Sequence, residues 1–193
     1  MNILIIGSEG FVGRHLCSKL KKNHRIYRID HKHDIDDKDY FYSDLTKKSN
    51  TEKISDLIEG NKIDVIINLA SILVSEENSK DISVLYDNLY IIESVISTVK
   101  QLKPHQLINF SSIAVYPNIS GKYSENSIVD PSNNFECLYG LSKFNSEVLF
   151  NYYCNDTDTD VINLRVSQII GEGMREDRIL NVFKNELQNQ NTV

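Results

Sequence analysis

The chain opens on an apolar run, Asn2 to Ile6, that passes directly into Gly7-Ser8-Glu9-Gly10-Phe11-Val12-Gly13 and then into a helical pattern. A strand, a GxxGxxG turn and a helix in immediate succession form the first half of a βαβ unit, which commits the next strand to run parallel. Gly7 permits the tight turn, Gly10 lets the backbone come close to a pyrophosphate, and Gly13 lets the helix pack against the strand. The backbone N–H groups and dipole at the helix start, around Phe11 and Val12, then meet phosphate charge. An ordinary glycine-rich strand–helix turn is the alternative, but the flanking strand and helix supply the context that the dinucleotide motif requires.

The rest of the chain repeats the alternation of short apolar runs with longer helical patterns, which predicts βαβ units around a parallel sheet. Strands are expected at Arg25 to Asp30, Tyr40 to Tyr42, Asp64 to Leu69, Gln106 to Ser111 and Asp160 to Val166. Helices are expected at Phe11 to Lys22, Asn50 to Glu59, Asp81 to Gln101, Glu136 to Tyr153 and Glu176 to Gln190. Pro104 should stop the third of these helices. The segment Ile113 to Phe135 reads as a long loop, and loops of that length in a compact domain are usually functional or disordered. At 193 residues the chain is one domain, or one domain with part of another.

Composition excludes several classes. The net charge of −6 is diffuse, with no clustered basic face of the kind a nucleic-acid binder uses. Cys17, Cys137 and Cys154 are odd in number and lack CxxC spacing, which favours reduced thiols over disulfides or a zinc site. The histidines are scattered and suggest no metal. No run approaches the roughly 20 apolar residues of a membrane span, and no leader pattern precedes Ile3. The expectation is a soluble cytoplasmic protein.

Several residues carry chemistry on their own terms. Asp30 ends the second expected strand, 23 residues after Gly7. It could accept hydrogen bonds from ribose hydroxyls or be merely a strand-end acid. A carboxylate there repels a 2′-phosphate, favouring NAD over NADP, although Arg14, His31 and Lys32 nearby could offset that repulsion. Tyr139 and Lys143 stand four apart in a helical stretch, so they share one face. A lysine there stabilises a phenolate and lets the tyrosine move protons near neutral pH. The same spacing occurs on many solvated helices. Ser112 follows an apolar strand and could be a capping serine or a site residue.

Taken together, these residues resemble the extended short-chain dehydrogenase/reductases, the NAD-dependent epimerase/dehydratase group that acts largely on nucleotide-sugars. Beyond the glycine turn and Asp30, Asp44-Leu45 is similar to the family's acid-plus-aliphatic pair at the adenine, although Asp44 could also be a helix N-cap. Asn68-Leu69-Ala70-Ser71 occupies the place of a His-Leu-Ala-Ala strand end beside the cofactor. Asn88 matches an asparagine that props the active-site backbone. Ser111-Ser112-Ile113-Ala114-Val115-Tyr116 matches Ser-Ser-x-x-Val-Tyr, Tyr139 and Lys143 match YxxxK, and Leu164-Arg165 with Gly171-Glu172-Gly173 matches LR…GxG.

The resemblance implies a Rossmann fold, a doubly wound parallel sheet in a three-layer α/β/α sandwich. It implies catalysis by Ser112, Tyr139 and Lys143. It also implies a cofactor site of Gly7, Gly10, Phe11, Val12, Gly13, Asp30, Asp44, Leu45, Leu69, Ala70, Ser71 and Asn88, joined by Tyr139 and Lys143. The expected reaction is hydride and proton transfer on a nucleotide-sugar by a C4 epimerase or a simple oxidoreductase. Dehydratases of the group carry acids where this chain has Ile113 and Ala114. Gln168, Ile170, Glu172 and Asn68 depart from the family's usual Asn, aromatic, Pro and His, which leaves the sugar undefined. Residues 1–193 are expected to be the NAD(P)-binding domain, with the C-terminal substrate-binding portion largely absent. A homodimer through a four-helix contact is a further expectation, from Ile82 to Val99 and Phe144 to Tyr153. The alternative function is a non-catalytic NAD-binding regulatory or interaction domain.

Overall fold

A computed structural model describes residues 1–47, 60–75, 77–174 and 179–190. The strands are β1 (Asn2–Ile6), β2 (Arg25–Asp30), β3 (Tyr40–Tyr42), β4 (Val65–Asn68), β5 (Gln106–Ser112) and β6 (Asp160–Val166). The helices are α1 (Phe11–Leu20), α2 (Ser83–Leu102), α3 (Cys137–Cys154) and α4 (Ile179–Gln190). The expected helix Asn50 to Glu59 lies outside the described residues, as does the start of Glu176 to Gln190.

The six strands form one sheet in the order β3-β2-β1-β4-β5-β6, with every neighbouring pair parallel. The chain winds outward from β1 through β2 to β3, then returns to β4 on the other side of β1. That reversal opens a crevice at the carboxyl ends of β1 and β4, the switch point where doubly wound sheets take their ligands.

Side-chain alternation on the strands builds a core on each face. Leu4 and Ile6 join Ile66 and Leu107 in a cluster with Ile91, Ile92, Val95 and Val99 of α2 and Phe150 of α3. Ile3, Ile5, Ile26 and Ile67 face the other way, against Leu16, Cys17 and Leu20 of α1. Helices flank the parallel sheet on both sides, and strands covered in this way are apolar almost throughout. No helix among the described residues is long and apolar enough to cross a membrane.

Element ends differ from the expected ones by one or two residues. α2 runs to Leu102, and Lys103 turns left-handed (φ 46°) with its N–H donating to the Val99 carbonyl. A left-handed residue directly before Pro104 cannot continue the helix. The loop after β5 is less irregular than its composition suggests. It holds two short 3₁₀ turns, Ile113–Val115 and Pro131–Asn133.

Candidate active site

The glycine turn sits in the crevice. Gly7 has φ +83°, and a Cβ there would stand 2.8 Å from the Ala70 nitrogen. Its left-handed conformation and its close approach to the end of β4 both call for glycine. Gly13 is buried, and a Cβ on it would meet the Gly7 carbonyl oxygen at 2.3 Å, so α1 rides directly on the turn. Gly10 is exposed, with nothing nearer its Cβ position than the Gly7 oxygen at 3.4 Å. Phe11 and Val12 open α1 and are half-buried, leaving the start of the helix facing the crevice.

Asp30 ends β2 and is bound into the turn. Its Oδ2 accepts the Glu9 N–H at 2.8 Å, its Oδ1 accepts the His31 N–H at 2.8 Å, and the His31 imidazole stands 3.1 Å away. Glu9 in turn pairs with Arg28 at 3.1 Å, and Arg28 reaches Asp37 at 2.9 Å. Arg14 donates to the Glu9 carbonyl at 2.7 Å. Asp30 therefore fixes the shape of the turn.

Asp44 accepts the Thr46 hydroxyl at 2.6 Å and the Thr46 N–H at 3.1 Å, and Lys47 lies 3.1 Å from its other oxygen. The Thr46 hydroxyl, with smaller help from Lys47 and the amide, holds this carboxyl below the usual range. Leu45 belongs to the core cluster, and its carbonyl accepts the Ser94 hydroxyl at 3.1 Å.

At the end of β4, Leu69, Ala70 and Ser71 form the wall opposite Gly7. Asn88 of α2 pins this wall with its whole side chain. Its Oδ1 accepts the Ile72 N–H at 2.9 Å and the Ser71 hydroxyl at 3.0 Å, while its Nδ2 donates to the Ile72 and Val84 carbonyls at 3.0 and 2.8 Å.

Ser112 ends β5, and its Oγ accepts the Ala114 N–H at 3.1 Å, capping the first 3₁₀ turn. The hydroxyl proton is not committed by that bond, so capping and substrate contact are compatible. Tyr139 and Lys143 lie in the first two turns of α3. Lys143 Nζ stands 5.5 Å from the Tyr139 ring centre and donates to the Phe110 carbonyl at 2.8 Å. The lysine is buried, and desolvation pushes its pKa down to about 8. A Cβ on Gly140 would collide with the Ala114 oxygen at 2.2 Å. This tight approach seats α3, at the residue after Tyr139, directly on the turn that Ser112 caps.

Two groups escaped the sequence reading. Glu147 on α3 is buried, accepts the Ser111 hydroxyl, and is gripped by Arg165 of β6 at 3.0 Å through Nε and 2.7 Å through Nη2. Arg165 Nη1 continues to the Tyr116 hydroxyl at 2.8 Å and the Glu125 carbonyl at 3.0 Å. Separately, Asn68, Asn109 and Asn163 stand side by side on β4, β5 and β6. Asn68 Nδ2 donates to Asn109 at 3.1 Å, and Asn109 Nδ2 donates to Asn163 and to the Ser146 hydroxyl, both at 2.9 Å. Ser146 passes the chain on to the Lys143 carbonyl at 2.7 Å. Arg165, Tyr116 and Asn68 stood in sequence motifs, but their pairing with Glu147, Asn109 and Asn163 carried no signal beyond a glutamate four residues after Lys143 and asparagines inside apolar strands.

The chain has relatives among known proteins. Residues 3–191 match the NAD dependent epimerase/dehydratase family. The chain is 25% identical over 195 residues to an uncharacterized UDP-glucose epimerase of Bacillus subtilis, with 92% of this chain and 59% of that protein covered. It is 26% identical over 204 residues to dTDP-4-dehydro-6-deoxyglucose reductase of Escherichia coli, with 97% and 62% covered. It superimposes on UDP-glucuronic acid 4-epimerase of Bacillus cereus in complex with UDP-glucuronic acid and NAD with a TM-score of 0.79. There the identity is 25%, with 98% of this chain and 64% of that one covered. The chain thus spans about three-fifths of the length of these relatives.

Proposed function

The chain belongs to the NAD dependent epimerase/dehydratase family, and from that premise we propose that residues 1–193 form the NAD-binding catalytic domain of a nucleotide-sugar C4 epimerase or oxidoreductase. The observation that carries this reading is the junction at β5. Through Lys143 and its bond to Phe110, α3 places a phenol and a buried ammonium at the strand end that also bears Ser112. The glycine turn lies on the same edge of the sheet.

The residues present fit a dinucleotide. Gly10 leaves its backbone open where a pyrophosphate would meet the start of α1, and the Asp30 carboxylate stands at the end of the next strand for the adenosine ribose. Asp44, the Leu45 backbone and the Leu69–Ser71 wall would enclose the rest. An acid at position 30 favours NAD over NADP. When bound, the cofactor supplies the hydride acceptor.

The chain's own residues handle the proton. The Tyr139 phenolate takes it from a sugar hydroxyl, the Lys143 ammonium steadies the phenolate, and the Ser112 hydroxyl donates to the oxygen where charge develops. Ile113 and Ala114 offer no acid to expel water, which favours redox or epimerisation over dehydration. The three cysteines stand as free thiols, which supports a reducing compartment, the cytoplasm. The exposed faces of α2 and α3 support a homodimer through a four-helix contact.

Titration with NAD and NADP, followed by assays of UDP-, GDP- and dTDP-sugars on the longest available form of the chain, tests the reading. NAD is expected to bind more tightly than NADP. Tyr139→Phe is expected to lower turnover at least a hundredfold while leaving NAD affinity within a fewfold, on the order of a general acid–base contribution. Firm NAD binding with no turnover of any sugar would favour a non-catalytic module instead.

A further inference from the structure

Lys143 and Glu147 are four residues apart on α3, and both are buried. That spacing normally lets a lysine and a glutamate pair along a helix. They do not pair here. The Glu147 carboxylate is fully engaged by the Arg165 guanidinium on both oxygens and by the Ser111 hydroxyl, while Lys143 donates to the Phe110 carbonyl. Arg165 draws the carboxylate toward β6, away from the turn of α3 that carries Tyr139.

The consequence is electrostatic. A carboxylate paired with Lys143 would cancel the positive charge that favours the Tyr139 phenolate. The β4 end and α2 present Asn68, Ser71, Asn88, Ile91 and Ile92 toward Lys143, none of them ionisable. β5 contributes the Phe110 carbonyl and Ser111. Among the described residues, the ionisable groups on the elements packed against α3 include Glu147 on α3 itself, Arg165 on β6, Tyr116 on the turn after β5, held by Arg165, and Asp130 at the cap of the Pro131–Asn133 turn, where it accepts the Ser132 N–H.

We propose that Arg165 is a positioning residue for the Tyr139–Lys143 pair: by sequestering Glu147 it keeps the Lys143 ammonium available to the phenol. The same guanidinium ties the loop after Ser112 to α3 through Tyr116 and the Glu125 carbonyl, so one side chain sets both the charge and the shape of the corner. The proposal rests on the proton-transfer reading of Tyr139, but its test does not need turnover. A planar, permanently charged fork suits this role better than an ammonium, which acts as a single point charge.

The experiment follows the ionisation of Tyr139 in the cofactor-free chain, using tyrosine isotope-labelled in the ring and nuclear magnetic resonance. The Tyr139 signal is assigned by its loss in Tyr139→Phe. In Arg165→Gln the Tyr139 midpoint is expected to rise by about one pH unit, a tenfold change in proton affinity. In the double variant Arg165→Gln with Glu147→Gln, no carboxylate remains to neutralise Lys143, and the midpoint is expected to return to within about a quarter unit of the parent. Arg165→Lys keeps a positive charge in place and serves if Arg165→Gln does not fold; it is expected to raise the midpoint by about half a unit. A midpoint unmoved in the folded Arg165 variants overturns the proposal. So does one that rises equally in the single and double variants, which would assign Arg165 a packing role alone. Failure of NAD to bind would sink the enzymatic reading while leaving this titration intact.

Discussion

Lys143 is the residue whose position costs the fold most visibly. Its pKa of about 8 in the folded chain stands against 10.5 for an ordinary lysine, because burial disfavours the ammonium. Below about pH 8 both folded and unfolded chains hold the proton, and the folded chain bears the full cost of a buried charge. Between about 8 and 10.5 the unfolded chain binds more protons, so stability rises with pH through that window. Lys143→Met removes the titration, although it also leaves the Phe110 carbonyl without its partner. The variant is expected to be more stable than the parent at pH 7 by roughly 2 kcal/mol, with the gap closing as pH approaches about 10.5. Urea unfolding of both proteins at several pH values measures it, and a gap independent of pH would contradict the burial argument. Gly7 makes a second residue-level case. Alanine there would hold φ +83° at a cost of about 1–2 kcal/mol and press its methyl on the Ala70 nitrogen 2.8 Å away. Gly7→Ala is expected to lower the melting temperature by several degrees and to weaken NAD binding more than tenfold, read by thermal melts and by titration.

Strands and helices were legible because each depends on its own stretch of sequence. The run from Ile3 to Ile6, the short Arg25–Asp30 segment with Ile26, Tyr27 and Ile29, and the four-residue rhythm of α2 carry their conformations locally. The placement of Gly7, Asp30, Ser112, Tyr139 and Lys143 at strand ends and on α3 was legible for a related reason, since fixed spacings around a strand–turn–helix bring a known geometry with them. What could not be read is what depends on strand order. Asn68, Asn109 and Asn163 are far apart in sequence and become neighbours only because β4, β5 and β6 lie adjacent in register. Arg165 meets Glu147 for the same reason, and a glutamate four residues after a lysine would ordinarily be read as that lysine's partner. The asparagine row makes a testable element-scale statement: beside the Lys143–Phe110 and Ser111–Glu147 bonds, it is a further polar tie between the sheet centre and α3. Asn109→Ala would leave the Asn68 amide, the Asn163 carbonyl and the Ser146 hydroxyl short of partners inside the sheet. At about 1–3 kcal/mol for each buried group left unsatisfied, partly relieved by relaxation, a loss of roughly 3–4 kcal/mol is expected in denaturant unfolding. A loss under about 1 kcal/mol would mean that the row is decorative.

At the scale of the whole molecule, the outer surfaces of α2 and α3 carry exposed large apolar side chains. The sequence showed two apolar helices without separating core residues from outward ones, and the fold makes that separation. Ile91, Ile92, Val95 and Val99 go into the core, while Ile82, Tyr86 and Tyr90, four residues apart, form an exposed stripe on α2 with exposures of 49%, 56% and 45%. Val148 and Tyr152 repeat the spacing on α3, at 47% and 72%. The two helices pack side by side, each with exposed apolar side chains on its outer face. Large exposed apolar patches of this kind mark association surfaces. A two-fold contact would place the same face on each copy, so one substitution strikes the interface twice. The chain is expected to sediment as a dimer at micromolar concentration. Tyr86→Glu combined with Val148→Glu, both on outward positions, is expected to yield a monomer with unchanged secondary structure and a dissociation constant raised at least a hundredfold, as for loss of hot-spot aromatic contacts. A parent protein that stays monomeric at tens of micromolar, measured by sedimentation velocity, would remove the four-helix contact and leave this face to a different partner.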